Sequence, residues 1–191
     1  MNASSAGKLV ILSGPSGAGK STVVRELLAT CPLPLELSVS ATTRPPRTGE
    51  RDGVDYHFLS REEFTLRRER GEFLECKEVF GRGDWYGTLQ APVTAGLRAG
   101  KWVLLEIDVE GALAVLEQNP AAITVFVHSG SLAELERRLR SRGTETEASL
   151  QRRLEVARRE LSFKDRYRHE VVNRVVADAA REICEILQSY A

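Results

Sequence analysis

Residues 8–21 read Lys8-Leu9-Val10-Ile11-Leu12-Ser13-Gly14-Pro15-Ser16-Gly17-Ala18-Gly19-Lys20-Ser21. The first six form a nearly continuous apolar run, the pattern of a strand buried on both faces of a parallel sheet. The last eight fit G-x-x-x-x-G-K-[ST] in full, and Val23, Leu27 and Thr30 then fall at helical spacing. A buried strand, a glycine loop and a helix in that order are what phosphate binding requires. The glycines let the backbone wrap around phosphate and turn its N–H groups inward. The helix N-terminus adds partial positive charge. Lys20 is expected to reach the β- and γ-phosphates, and the Ser21 hydroxyl to ligate Mg²⁺. Gly14, Pro15, Ser16, Gly17, Ala18, Gly19, Lys20, Ser21 and Thr22 are therefore expected to hold a nucleoside triphosphate.

Outward from this loop the chain alternates strand-like and helix-like segments. Pro32 and Pro34 close the first helix. Lys101 to Ile107 and Ile123 to His128 are further buried strand candidates, with a helix between them over about 111–118. Pro92 and Gly100 bracket another helix over about 91–99. This alternation predicts an α/β fold, a parallel sheet with right-handed crossovers and helices on both faces. Two stretches break it. Residues 38–89 hold short strand-like pieces and one helix started by a Ser60/Glu63 capping box. Residues 131–161 read as two helices joined at Arg142-Gly143-Thr144, with capping boxes Ser131/Glu134 and Thr144/Glu147. Leu150, Leu154, Ala157 and Leu161 mark the buried face of the second. Residues 131–168 carry 11 Lys/Arg against 7 Asp/Glu, a local excess of positive charge.

The whole chain has 191 residues and 27 basic against 27 acidic side chains, which predicts one domain and argues against a general binder of long nucleic acid. No apolar run approaches the ~20 residues of a membrane helix, and Met1 to Gly7 has no signal-peptide pattern. Cys31, Cys76 and Cys184 are odd in number and far apart, so a reduced, cytoplasmic protein without a disulfide framework is expected.

Asp108 follows the second strong strand, where a carboxylate is placed to hold Mg²⁺ or its waters. Asp108-Val109-Glu110-Gly111 also fits the D-x-x-G of GTPases. A GTPase reads guanine through Asn-Lys-x-Asp, however, and none of Asn2, Asn119 and Asn173 precedes a lysine. A kinase of a small substrate needs a second anion site, which Arg44-Pro45-Pro46-Arg47 can supply. Pro45 biases Arg44 toward extended or polyproline II backbone, whose three residues per turn would set Arg44 and Arg47 on one side as a phosphate clamp.

From there the sequence resembles guanylate kinases. Arg44-x-x-Arg47-x-Gly49-Glu50 and Gly53-x-Asp55-Tyr56-x-Phe58 carry that family's most specific signature. Gly71-Glu72-Phe73-Leu74-Glu75, Tyr86-Gly87-Thr88, Glu106-Ile107-Asp108 and Arg142-Gly143-Thr144-Glu145 follow in family order. The resemblance spans about residues 8–173 and implies a P-loop nucleoside monophosphate kinase with a five-stranded core sheet. It implies a core of residues 8–37, 90–130 and 162–191, a GMP-binding insert over 38–89, a lid over 131–161 and a tail over 1–7.

The resemblance also implies roles. Glu75 corresponds to the carboxylate that reads guanine: N1–H and the 2-amino group are adjacent donors, and a carboxylate only accepts. Ser40 and Thr88 correspond to hydroxyl contacts to the nucleotide, and Tyr56 and Tyr86 to tyrosines on the GMP phosphate. Asp108 is grouped with this GMP set as well as with the metal. Arg138, Arg142 and Arg153 correspond to arginines that close over the transferring phosphoryl group and, with Lys20 and Arg44, form the expected catalytic set. Asn173 corresponds to an adenine contact, although Arg174 follows where the family usually carries an acidic residue. The expected reaction is ATP + GMP giving ADP + GDP with Mg²⁺, with dGMP as a further acceptor and no membrane partner. The alternatives are a scaffold module without chemistry, which typically loses P-loop and lid residues that stand here, and a kinase of another monophosphate, which Glu75 and Ser40 disfavour.

Overall fold

The computed structural model describes residues 7–79, 83–141 and 146–191. In chain order these form β1 (Lys8–Ser13), α1 (Lys20–Thr30), β2 (Leu35–Leu37), β3 (Ala41–Thr42), β4 (His57–Phe58), α2 (Arg61–Glu69), β5 (Phe73–Val79), β6 (Asp84–Leu89), α3 (Gln90–Arg98), β7 (Trp102–Glu106), α4 (Val109–Gln118), β8 (Ile123–His128), α5 (Leu132–Ser141), α6 (Glu147–Leu161), β9 (His169–Val172) and α7 (Val176–Gln188). A five-stranded parallel sheet has the order β2-β7-β1-β8-β9, and a four-stranded sheet has the order β4-β3-β6-β5.

The apolar run of β1 divides between two cores because side chains alternate across a strand. Val10 and Leu12 pack with α1 and α7 on one face, and Leu9 and Ile11 pack with Val93, Ala112 and Val115 of α3 and α4 on the other. Each such buried side chain contributes about 1.5–3 kcal/mol. β1 is central and pairs in parallel with β7 and β8, so Leu12 stands beside Glu106 and Val125. The C-terminal ends of three strands therefore meet at the glycine loop, where ligands bind in open parallel sheets.

The Ser60 and Ser131 caps form as expected, accepting the backbone N–H of Glu63 and of Glu134 at 3.1 Å each. The cap of α6 differs. It is Thr146, which accepts from the Ser149 N–H, while Thr144 lies outside the described residues. Leu150, Leu154 and Ala157 of α6 are buried with Leu135 and Leu139 of α5, as their spacing predicted, while Leu161 at the helix end is only half-buried. Thr30, grouped with Val23 and Leu27 on spacing, is instead exposed and bonds back to the Glu26 carbonyl.

The cysteine expectation is corrected. Cys31, at the C-cap of α1, and Cys184, on α7, are joined in a disulfide with Cα atoms 5.7 Å apart. Their separation of 153 residues hid a pairing that the packing of α1 on α7 creates. Cys76 remains a free thiol.

Candidate active site

The phosphate loop takes its shape from three glycines in left-handed backbone. At Gly14 φ is +139°, and a Cβ would stand 1.9 Å from the Val127 carbonyl oxygen, so strand β8 leaves room only for glycine. At Gly19 φ is +86°, and a Cβ would stand 2.6 Å from Asn173 Nδ2. Gly19 is also the N-cap of α1 and supplies no side chain to cap it, which leaves the first-turn N–H groups for a ligand. Lys20 Nζ donates to the carbonyls of Gly14 at 2.6 Å and Pro15 at 3.1 Å. Burial pushes its pKa down, against the charges of Glu106, Glu160 and Asp108.

The Ser21 hydroxyl donates to Glu106 Oε1 at 2.6 Å. Its lone pairs remain available to a metal while its proton is held by the carboxylate. Glu106 is a site residue to which the sequence reading gave no role. The signal was its position as the last residue of β7, which parallel pairing with β1 carries to the mouth of the loop. Burial raises the Tyr56 pKa, with Tyr86 and then Glu106 adding to the rise, and Glu106 opposes the burial that lowers that of Lys20. Asp108 caps α4 through the Gly111 N–H at 2.9 Å, and its other oxygen pairs with Lys77 at 2.9 Å. A metal at Asp108 would compete with Lys77. Among the described residues no three His, Cys, Asp or Glu converge as a protein-only metal site. One hydroxyl with nearby carboxylates fits Mg²⁺, which keeps waters and takes substrate phosphates as ligands.

A cleft of about 370 Å³ opens beside the loop, lined by Gly17, Gly19, Thr22, Arg138, Asn173 and Arg174 among others. Asn173 is 2% exposed and donates to the Ala18 carbonyl at 2.8 Å, so its amide braces the loop as well as lining the cleft. Arg138 donates to the Asn173 carbonyl and to Glu134, both at 2.8 Å. Arg153 reaches the loop itself, donating to Ser16 Oγ at 2.8 Å. Arg142 lies outside the described residues.

The four-stranded sheet carries the second group. Arg44 Nε donates to the Tyr86 hydroxyl at 3.0 Å, and its guanidinium pairs with Glu50 at 2.9 Å. It also lies over the Tyr56 ring, 5.4 Å from the centroid, while Tyr56 and Tyr86 meet edge to face. Arg44, Tyr56 and Tyr86 thus form one connected cluster, with Glu50 holding the guanidinium. Glu50 also accepts the Arg47 N–H, and Arg47 itself is exposed. The two arginines are therefore unequal: Arg44 is held by Glu50 and Tyr86, and Arg47 is exposed. The Ser40 carbonyl accepts from His57 N–H, which sets Ser40, just ahead of β3, beside the start of β4.

Glu75 and Thr88 are cross-strand partners in β5 and β6, and the Thr88 hydroxyl donates to Glu75 Oε1 at 2.7 Å. Thr88 therefore orients the carboxylate. Burial pushes the Glu75 pKa up to about 7, with Asp108 adding to burial and Thr88 and Lys77 opposing it. The other oxygen, Oε2, lies against the first turn of α4, 3.0 Å from where a Gly111 Cβ would stand, so a side chain there would crowd it.

A family model described as guanylate kinase matches residues 6–190. The guanylate kinase of Rhodopirellula baltica is 60% identical over 182 residues, covering 95% of this chain and 87% of its own. That of a Synechococcus strain is 48% identical over 181 residues, covering 95% and 82%. The crystal structure of guanylate kinase from Anaplasma phagocytophilum superposes with a TM-score of 0.79 at 33% identity, covering 97% of this chain and 87% of that one. A complete phosphate loop and a match along nearly the whole length lead to one conclusion: the chain belongs to the guanylate kinase family.

Proposed function

We propose a division of labour among these residues for the family's reaction. The chain is an ATP:GMP phosphotransferase, which gives ADP and GDP. The observation that carries the proposal is Glu106. Its carboxylate accepts from the Ser21 hydroxyl at 2.6 Å at the mouth of the phosphate loop, at the end of the strand that parallel pairing sets beside β1, so it lies where the triphosphate and its Mg²⁺ would meet the acceptor.

The loop N–H groups and Lys20 bind the ATP phosphates, with the base directed into the cleft past Asn173. Arg44, Tyr56 and Tyr86 bind the GMP phosphate, with Arg47 swinging in. Glu75 accepts the guanine N1–H and 2-amino group, held by Thr88, and Ser40 flanks the base. Residues 38–89 form the GMP-binding unit and residues 131–161 a lid. Arg138, Arg142 and Arg153 of that lid stabilise charge on the equatorial oxygens and exclude water. Ser21 would hold Mg²⁺, with Glu106 and Asp108 placed for its waters. The ion, when bound, neutralises charge on the β- and γ-phosphates. Phosphoryl transfer is then mostly positioning and electrostatics. Action in the cytoplasm, where ATP and GMP are supplied, completes the proposal.

The test is a coupled assay of ADP release with GMP, dGMP, AMP, CMP and UMP. Guanine acceptors should exceed the others by at least about 100-fold, because a wrong base leaves the buried carboxylate mispaired. Comparable rates with AMP would defeat the assignment of Glu75.

A further inference from the structure

Strand β5 carries a lysine that the reaction as described does not use. Lys77 is two residues from Glu75, so the pleat sets both side chains on one face of the strand. Their cross-strand partners on β6 are Tyr86 and Thr88. One face of the sheet therefore carries Glu75, Thr88, Tyr86 and Lys77. Cys76 and Trp85 lie on the other and pack against Ala41, Phe64 and Leu89. The Lys77 ammonium pairs with Asp108 Oδ2 at 2.9 Å and with Glu110 Oε2 at 3.1 Å. Both carboxylates belong to the start of α4, Asp108 as its N-cap and Glu110 in its first turn. Further along α4, Gln118 Nε2 donates to the Leu74 carbonyl at 3.3 Å. Strand β5 is thus docked along α4, with ion pairs at one end. A Cβ on Gly111 would stand 3.0 Å from Glu75 Oε2 and 3.6 Å from Asp108 Oδ1, so these two carboxylates are close neighbours of like charge.

We propose that Lys77 is a positioning residue for GMP, tying β5 to the first turn of α4 so that Glu75 and Asp108 are presented to the nucleotide at a fixed spacing. The inference rests on the assignment of both carboxylates to GMP. Asp108 has one oxygen on the Gly111 N–H and the other on Lys77, so its orientation is set from two sides. Without the ammonium only the first hold remains, and the neighbouring carboxylates push β5 and α4 apart. Lys77 stands on the small sheet and not on the phosphate loop, so the loss falls on GMP rather than on ATP.

Lys77→Arg, Lys77→Met and Lys77→Glu test it, with KM for GMP and for ATP measured well below the lowest unfolding midpoint. Lys77→Met keeps most of the stem and removes the charge. It should raise KM for GMP by about 3–10-fold, the range for two partly exposed ion pairs. Lys77→Glu sets a third carboxylate beside Asp108 and Glu110 and should raise it by at least about 30-fold. Lys77→Arg keeps the charge and should stay within about twofold of wild type. KM for ATP should stay within about twofold in all three. Where Lys77→Glu fails to fold, the Met and Arg variants decide the matter alone. A KM for GMP within about twofold of wild type in Lys77→Met overturns the proposal, and so does an Arg variant as impaired as the Met variant. Equal losses in the Met and Glu variants also overturn it, because charge would then play no part, as does a KM for ATP that rises in step with that for GMP. The assay of acceptor bases on wild type separates this from the reading beneath it. Without a guanine preference the assignment of Glu75 falls and the role of Lys77 with it, whereas a silent Lys77 series beside an intact guanine preference removes Lys77 alone.

Discussion

The pKa of Glu75 makes guanine recognition a titratable event. In the ligand-free protein the carboxyl titrates at about 7, against 4.5 for an ordinary side chain. Guanine presents two donors, so GMP selects the ionised form. The ionised fraction falls from about nine-tenths at pH 8 to about one-tenth at pH 6, which lowers GMP affinity about tenfold. The GMP phosphate itself loses its second proton near pH 6, by analogy with other phosphate monoesters. Glu75→Gln provides the correction, because its ligand titrates identically and its side chain does not titrate. The variant keeps one acceptor and sets a donor against a donor, at a cost of about 2–4 kcal/mol, or roughly 30–1000-fold in affinity at pH 8. At pH 6 the wild-type carboxyl is mostly protonated and, like the amide, offers one acceptor and one donor. The wild-type advantage should therefore shrink about tenfold between pH 8 and pH 6. Calorimetric titration of GMP into each protein, without ATP or Mg²⁺, measures it directly. Parallel pH profiles for the two proteins would refute the reasoning, and GMP affinity unchanged in Glu75→Gln would refute the assignment of Glu75 itself.

The raised pKa also carries a stability consequence of opposite sign to the activity loss. The folded protein holds a proton on Glu75 that the unfolded chain releases near pH 4.5, so stability falls as pH rises from about 4.5 to 7, by up to about 3 kcal/mol. Glu75→Gln should therefore unfold at a higher temperature than wild type at pH 8, and a lower midpoint would count against the burial argument. Lys20→Ala removes an ammonium held on the Gly14 and Pro15 carbonyls and should reduce kcat by at least about 1000-fold, about 4 kcal/mol of lost stabilisation, with an unaltered circular dichroism spectrum; a rate within tenfold of wild type would contradict its role. Arg44→Ala should raise KM for GMP more than Arg47→Ala does, since Arg44 is held by Glu50 and Tyr86 while Arg47 is exposed, and KM for ATP should change little in either. Thiol titration of the unfolded, unreduced protein should find one free cysteine, Cys76. Reducing the bridge that closes the 153-residue separation should destabilise the fold by up to about 5 kcal/mol in the chain-entropy description, and identical denaturation curves with and without reductant would contradict the bridge.

The sequence by itself determined the parts whose physics is local. A buried strand, a glycine loop and a helix start are contiguous, so the phosphate loop could be read from residues 8–21. The Ser60 and Ser131 caps, the buried face of α6 and the α/β alternation rest on spacings of a few residues, and they stand as read. Family order supplied Glu75, Tyr56 and Tyr86, which single residues would not have disclosed. Helix α7 was legible but unread: Ala179, Ala180, Ile183, Cys184 and Leu187 recur at helical spacing and are buried. Only the tertiary structure decided what depends on distant segments meeting. Parallel pairing of β1 with β7 brings Glu106 to Ser21, 85 residues apart in sequence. The return of α6 over the loop brings Arg153 to Ser16, across 137 residues. Packing of α1 on α7 brings Cys31 to Cys184. The pKa of Glu75 belongs to the same class, because it follows mainly from how much water the surrounding elements remove, and no spacing along a chain encodes that.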